Sequence, residues 1–150
     1  MSNTNQQVLQ TQVMRENNPK AVFFGHNQNL IAPIAGYLAQ RNVDLYSGKE
    51  LSDSFFGNYF FYVGSYSPVE SFLADKGKQL PLTLLILTEI SDIDRLEKQL
   101  EQFHQVRALI VNSSHQLTNK EIESVIEFFF NAKDKIYQLS HVTQKKTPAQ

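Results

Sequence analysis

Apolar residues along this chain come in short runs that alternate with segments of helical period. Ala21 to Phe24 (AVFF) reads as a strand closed by Gly25. From Leu30 to Gln40, the residues Leu30, Ile31, Ile34, Tyr37 and Leu38 fall on one side of a helix, with Asn27 or Asn29 as its cap. Pro33 stands in its first turn, where a missing N–H is tolerated. Val43 to Tyr46 predicts a short second strand, and Ser47 to Gly57 a loop containing one helical turn. Tyr59 to Val63 (YFFYV) predicts a buried third strand.

The later elements carry clearer punctuation. Ser67-Pro68-Val69-Glu70 has the form of a capping box with proline at the first helical position. Its helix turns Val69, Phe72 and Leu73 inward and stops near Gly77. Leu82 to Leu87 (LTLLIL) is apolar without alternation, the pattern of a strand buried on both faces. Ser91 is placed to cap a helix whose stripe is Ile93, Leu96, Leu100 and Phe103, and Ala108 to Val111 follows as a fifth strand. Thr118 with Glu121 forms a second capping box, flanked by a Leu117/Ile122 staple. That helix buries Ile122, Val125, Ile126 and Phe129, and Ile136 to Leu139 closes the series as a sixth, edge strand. Strand–helix alternation of this kind predicts a three-layer, doubly wound α/β fold of five or six mostly parallel strands, either Rossmann-like or flavodoxin-like. The domain spans residues 20–142, after a Gln- and Asn-rich lead-in over 1–19 expected to be flexible. A tail or linker follows over 143–150.

Composition narrows the function classes. The chain has 150 residues, a 41% hydrophobic and 19% charged content and a formal net charge of -1. With no basic block, nucleic acid is not an expected partner. The absence of cysteine removes disulfides, thiolate metal sites and a cysteine nucleophile together. No run approaches the ~20 apolar residues of a membrane span, and the N-terminus lacks the order of a signal peptide, so a cytoplasmic location is expected.

In a doubly wound sheet, ligands bind beyond the carboxyl ends of the strands. The loops expected there are Gly25-His26-Asn27-Gln28, Gly64-Ser65-Tyr66-Ser67, Thr88-Glu89-Ile90-Ser91 and Asn112-Ser113-Ser114-His115. Gly25, His26, Asn27, Ser65, Thr88 and Ser113 are the candidate crevice residues. The set is polar, has Glu89 as its clearest acid and holds no Lys or Arg. A phosphate site calls for consecutive glycines over a helix N-terminus and a nearby cation, and only Gly25 meets this description in the first loop.

Single residues in these loops have both chemical and structural readings. An unperturbed imidazole titrates near neutrality, which suits general-base work, but His26 and His115 as loop residues are read first as capping a helix or facing water. As a metal pair they lack a third ligand. Ser113-Ser114 has the elements of a nucleophile and also those of a turn that satisfies backbone amides. Asp92, Asp94 and Glu97 favour the N-terminal half of a helix. No catalytic set and no metal site is predicted.

Two resemblances arise from these loops. Val22-Phe23-Phe24-Gly25-His26, Leu30-Ile31-Ala32, Gly64 to Phe72, Leu84 to Thr88 and Ile110 to Ser114 resemble the extended short-chain dehydrogenases, the NAD-dependent epimerase/dehydratase group, over about residues 20 to 114. That resemblance implies an NAD(P) site. The family's glycines are here His26 and Asn29, an Asp usual at the Ser65 position is absent, and the catalytic Tyr-x-x-x-Lys is matched only by Tyr137 with His141 in place of Lys. The order of strands and crossovers over about residues 20 to 132 also resembles response-regulator receiver domains, with Thr88 at the family's switch position. The acidic positions that would hold Mg²⁺ and phosphate are Gly25-His26 and Gly64-Ser65, and the Lys position is Asn112, so the resemblance is to a pseudo-receiver. Strand order separates the two. The first strand beside the third is receiver-like, and 3-2-1-4-5 is the dinucleotide-binding order.

Aromatic residues cluster at Phe55-Phe56, Tyr59-Phe60-Phe61-Tyr62 and Phe128-Phe129-Phe130. On a helical wheel Phe128 falls among Lys120, Glu121, Ser124 and Glu127, off the buried stripe. One reading is a helix edge packed by the C-terminal segment. The other is an exposed patch with Phe128 as anchor and Phe130 at its edge. The functional expectation is a non-catalytic, degenerate Rossmann-like module acting through protein–protein contacts, with a protein partner or a homo-oligomer and no cofactor. The alternative is a nucleotide or dinucleotide binder, with NAD(P) the cofactor.

Overall fold

The computed structural model describes residues 18–51 and 57–140. Most of the expected lead-in, Phe55, Phe56, His141 and the 143–150 tail lie outside the described residues.

Six strands form: β1 (Lys20–Phe24), β2 (Asp44–Ser47), β3 (Tyr59–Ser65), β4 (Leu82–Glu89), β5 (Val106–Ile110) and β6 (Ile136–Gln138). Between them lie α1 (Gln28–Ala39), α2 (Tyr66–Lys76), α3 (Ile93–Leu100) and α4 (Asn119–Asn131). Every strand pair is parallel, and the order is β2-β1-β3-β4-β5-β6. β1 therefore sits between β2 and β3, the flavodoxin-like arrangement rather than 3-2-1-4-5.

Alternation along the strands divides the interior into two cores. Phe23, Phe61, Leu84, Ile86 and Leu109 meet Leu30 and Ile34 of α1 and Ile126 and Phe129 of α4. Their neighbours Val22, Phe60, Leu85, Leu87 and Ala108 meet Val69 and Leu73 of α2 and Leu96 and Leu100 of α3 on the opposite face. The continuous apolar run of β4 is thus explained by burial on both sides.

Local signals were followed in part. Asn27 caps α1, accepting from the Leu30 amide. The Thr118 box forms as expected: the Glu121 amide donates to Oγ1 at 3.1 Å and the Thr118 amide donates to Oε1 at 3.0 Å. The Ser67 box does not form. α2 begins earlier, at Tyr66, with Ser65 as its cap residue and no side-chain capping bond. Pro68 is still within the first turn, and Glu70 turns outward to pair with Arg95 of α3. The α3 cap is Asp92 rather than Ser91. Its carboxylate accepts from the Arg95 amide at 3.1 Å, and β4 continues to Glu89 with Ile90 buried behind it, which moves the helix start along the chain.

Of the two readings of Phe128, the exposed anchor is overturned and the helix edge packed by the C-terminal segment is the one observed. Phe128 is 7% exposed, not an outward anchor. Its ring lies 5.5 Å from that of Tyr137 at 58°. A helical wheel anticipates one apolar face, but α4 also has β6 along its flank, and Tyr137 supplies a second apolar neighbour. Phe130 remains 36% exposed and packs edge-on against Tyr59 and Phe129.

Candidate functional site

Because β1 and β3 are adjacent while α1 and α2 leave them toward opposite faces, the topological switch point lies at Gly25 and Gly64-Ser65. Gly25 has φ +126°, and a Cβ there would stand 2.4 Å from the Val63 carbonyl oxygen. Only glycine combines that backbone with so close an approach. Gly64 has φ +157°, beside the Tyr62 hydroxyl, which donates to the Ser65 carbonyl at 2.7 Å. Burial raises the Tyr62 pKa. β1 and β3 thus approach closely at the switch point.

Above the switch point, the first loop is tied to the β5–α4 loop. Asn27 Nδ2 donates to the Ser113 carbonyl at 3.0 Å while its Oδ1 accepts from the Leu30 amide at 3.3 Å. Asn29 Nδ2 donates to the His115 carbonyl at 2.9 Å, and its Oδ1 accepts from Gln116 Nε2 at 2.9 Å. His115 Nε2 lies 2.9 Å from Glu121 Oε1, the oxygen that also accepts from the Thr118 amide. The Thr118 amide first, and His115 second, hold the Glu121 carboxyl below its ordinary range. His115 therefore serves the α4 cap, and the Asn27 and Asn29 amide groups are spent on internal bonds.

The structure brings Asn27 and Ser113 together at this clasp, while Gly25 sits against Val63 of β3. His26 and Ser113 are exposed, and Gly25, Asn27, Ser65 and Thr88 are half-buried. Ser65 pairs across the ladder with Glu89, so it belongs to a separate cleft between the ends of β3 and β4. That cleft, about 450 Å³, is lined by Ser65, Ser67, Glu70, Glu89, Asp92 and Arg95 among others. Gln99 donates to the Glu70 carbonyl at 2.9 Å and accepts from the Tyr66 hydroxyl at 2.5 Å, joining α2 to α3. The Tyr66 pKa is pushed up to about 12, by burial first and the Glu70 charge next. Glu70, Asp92 and Arg95 were not read from the sequence as one lining. The only local signal is at α3, where Asp92 caps the helix and Asp94 lies in its first turn; Glu70 lies beyond the first turn of α2.

With three carboxylates to one guanidinium, the lining disfavours an anionic ligand such as a phosphate. Among the described residues no group of three His, Asp or Glu side chains is placed to hold a metal ion, and no helix is long and apolar enough to cross a membrane. Tyr137 lies on β6, as its apolar context suggested, rather than on a helix. No protein-family model matches the chain, and no curated protein or solved structure is significantly similar to it.

Proposed function

We propose that the chain is a non-catalytic module of receiver-like strand order that acts through protein–protein contacts. The observation that supports this reading is the clasp. The polar side chains at the start of α1 are committed to the backbone and side chains of the β5–α4 loop. A ligand entering there has to exchange those exposed and part-buried bonds for its own, each contributing about 0.5–1.5 kcal/mol. The pseudo-receiver reading gains on the epimerase-like one because β1 lies beside β3. The positions that hold Mg²⁺ and phosphate in receivers are here Gly25-His26, Gly64-Ser65 and Asn112.

The competing reading is an epimerase-like dinucleotide binder. Calorimetric titration with NADH and NADPH separates the two. No saturable heat is expected for either, because His26 and Asn29 stand where close backbone approach to a pyrophosphate needs glycine. Saturable micromolar binding would overturn the proposal in favour of the dinucleotide binder.

A further inference from the structure

Two cations meet where the last strand joins the sheet. The parallel register sets Ala108 of β5 beside Ile136 of β6, and the Ala108 amide donates to the Lys135 carbonyl at 2.9 Å. One residue earlier on each side, Arg107 therefore neighbours Lys135. Paired positions on neighbouring strands share a face, and like charges there repel. Burial first, and the Arg107 charge second, hold the Lys135 pKa below its ordinary value.

No carboxylate answers these charges. The ion pairs among the described residues are Glu70–Arg95 and Glu121–His115, and neither includes Arg107 or Lys135. Arg107 Nη2 donates to the Ala132 carbonyl at the end of α4 at 3.1 Å. Its Nε and Nη1 are buried and find no acceptor among the described residues. Lys135 Nζ donates to the Phe103 carbonyl at 2.7 Å. A buried donor without an acceptor costs free energy, the more so when it is charged. β6 has little to set against that cost. It is three residues long and half-buried or exposed throughout, whereas the centre of β4 is fully buried. Beyond it, the Leu139 and Ser140 amides share one acceptor, the Ile110 carbonyl.

We propose that the Arg107–Lys135 pair makes β6, with its connection from α4, a release segment that leaves the sheet by local opening well before the fold as a whole unfolds. Opening lets water reach the guanidinium and separates the two charges. It also parts Tyr137 from Phe128 and bares the outer edge of β5, so a surface hidden in the closed form is presented only transiently. This device is independent of whether the crevice takes a dinucleotide.

Native-state hydrogen exchange on the full chain, read amide by amide by NMR, tests the proposal. The Ala108 and Leu139 amides bond across the β5–β6 boundary, and their protection should be at least about tenfold below that of amides at the centre of β4. Lys135→Glu exchanges repulsion for attraction toward Arg107 and should raise the protection of both amides several-fold. If Lys135 served only as an anchor through its bond to Phe103, the same change would lower their protection. Arg107→Met removes the buried charge, keeps an unbranched side chain and should raise protection as well. Lys135 is only half-buried, so the glutamate variant decides the matter if the methionine variant does not fold. Equal protection at the β5–β6 boundary and at the centre of β4 in the wild type would overturn the release segment. So would unchanged or lowered protection of Ala108 and Leu139 in either folded variant.

Discussion

Phe129→Ala is expected to lower the unfolding free energy by about 3–5 kcal/mol, the cost of deleting a fully buried phenylalanine. Phe129 has no exposed surface. Its ring lies 4.8 Å from Phe61 and 5.8 Å from Tyr59, so truncation opens a cavity in the core that joins α4 to the centre of the sheet. Close packing leaves few atoms able to move into that space. Phe128→Ala should also destabilise, by less than half as much, because its ring packs on Tyr137 at the rim of a shallow surface groove where side chains can close over the gap. Urea denaturation of both variants checks this through the midpoint at constant slope. A midpoint unmoved by Phe128→Ala would restore the outward reading of that residue and contradict its burial. A midpoint unmoved by Phe129→Ala would contradict the α4 packing itself.

Gly25→Ala is expected to cost a similar amount, about 3–5 kcal/mol, by a different route. Its φ of +126° lies in a region that side-chain-bearing residues rarely adopt, and the added Cβ would meet the Val63 carbonyl oxygen at 2.4 Å. Neither group can give way easily, since the oxygen belongs to the backbone of β3, whose neighbouring strands β1 and β4 hold it on both sides. Gly36→Ala is the matched control. Gly36 lies within α1, where an added Cβ meets nothing within 4 Å. Alanine there should stabilise by about 0.5–1 kcal/mol through helix propensity and a less flexible unfolded chain. Thermal melts of the two variants should therefore move in opposite directions. A neutral Gly25→Ala would show that β1 and β3 are not held in the close approach described here.

These two residues also mark how far the sequence was legible. The apolar runs located all six strands to within a few residues; for β1, β3, β4 and β5 the reason is burial on both faces, which leaves few polar options. The Thr118 box and the Asn27 cap were legible for a local reason: their partners lie three residues away. Ser67 and Ser91 were misread as caps for the same kind of reason. A serine ahead of a helical pattern marks a helix start, but not which of several adjacent polar residues takes the cap position. In α2 the neighbouring Ser65 took it, and in α3 Asp92 did. Strand order was not legible, since parallel strands carry nearly identical apolar patterns whatever their neighbours. Phe128 was left between two readings because periodicity within α4 has no knowledge of β6 beside it.

The candidate site was legible in outline. Gly25, Asn27 and Ser113 were singled out as loop residues at the strand ends, and the structure joins Asn27 to Ser113 and sets Gly25 against Val63. The bonds from Asn29 to His115 and from Gln116 back to Asn29 span 86 and 87 residues, and no local pattern signals them. Ser65 and Thr88 stand by β3 and β4, with Ser65 lining a different cleft from the clasp.

The central claim, that the crevice of this sheet is closed by its own side chains and performs no phosphoryl chemistry, is tested most directly by intact-mass spectrometry of the full chain after incubation with Mg²⁺ and a small phosphodonor. Gly25-His26 and Gly64-Ser65 supply no carboxylate for a hard cation, and the nearest acidic cleft repels a phosphate. The expected result is a mass unchanged from the untreated chain. An acid-labile adduct with the mass of one phosphoryl group would contradict the account.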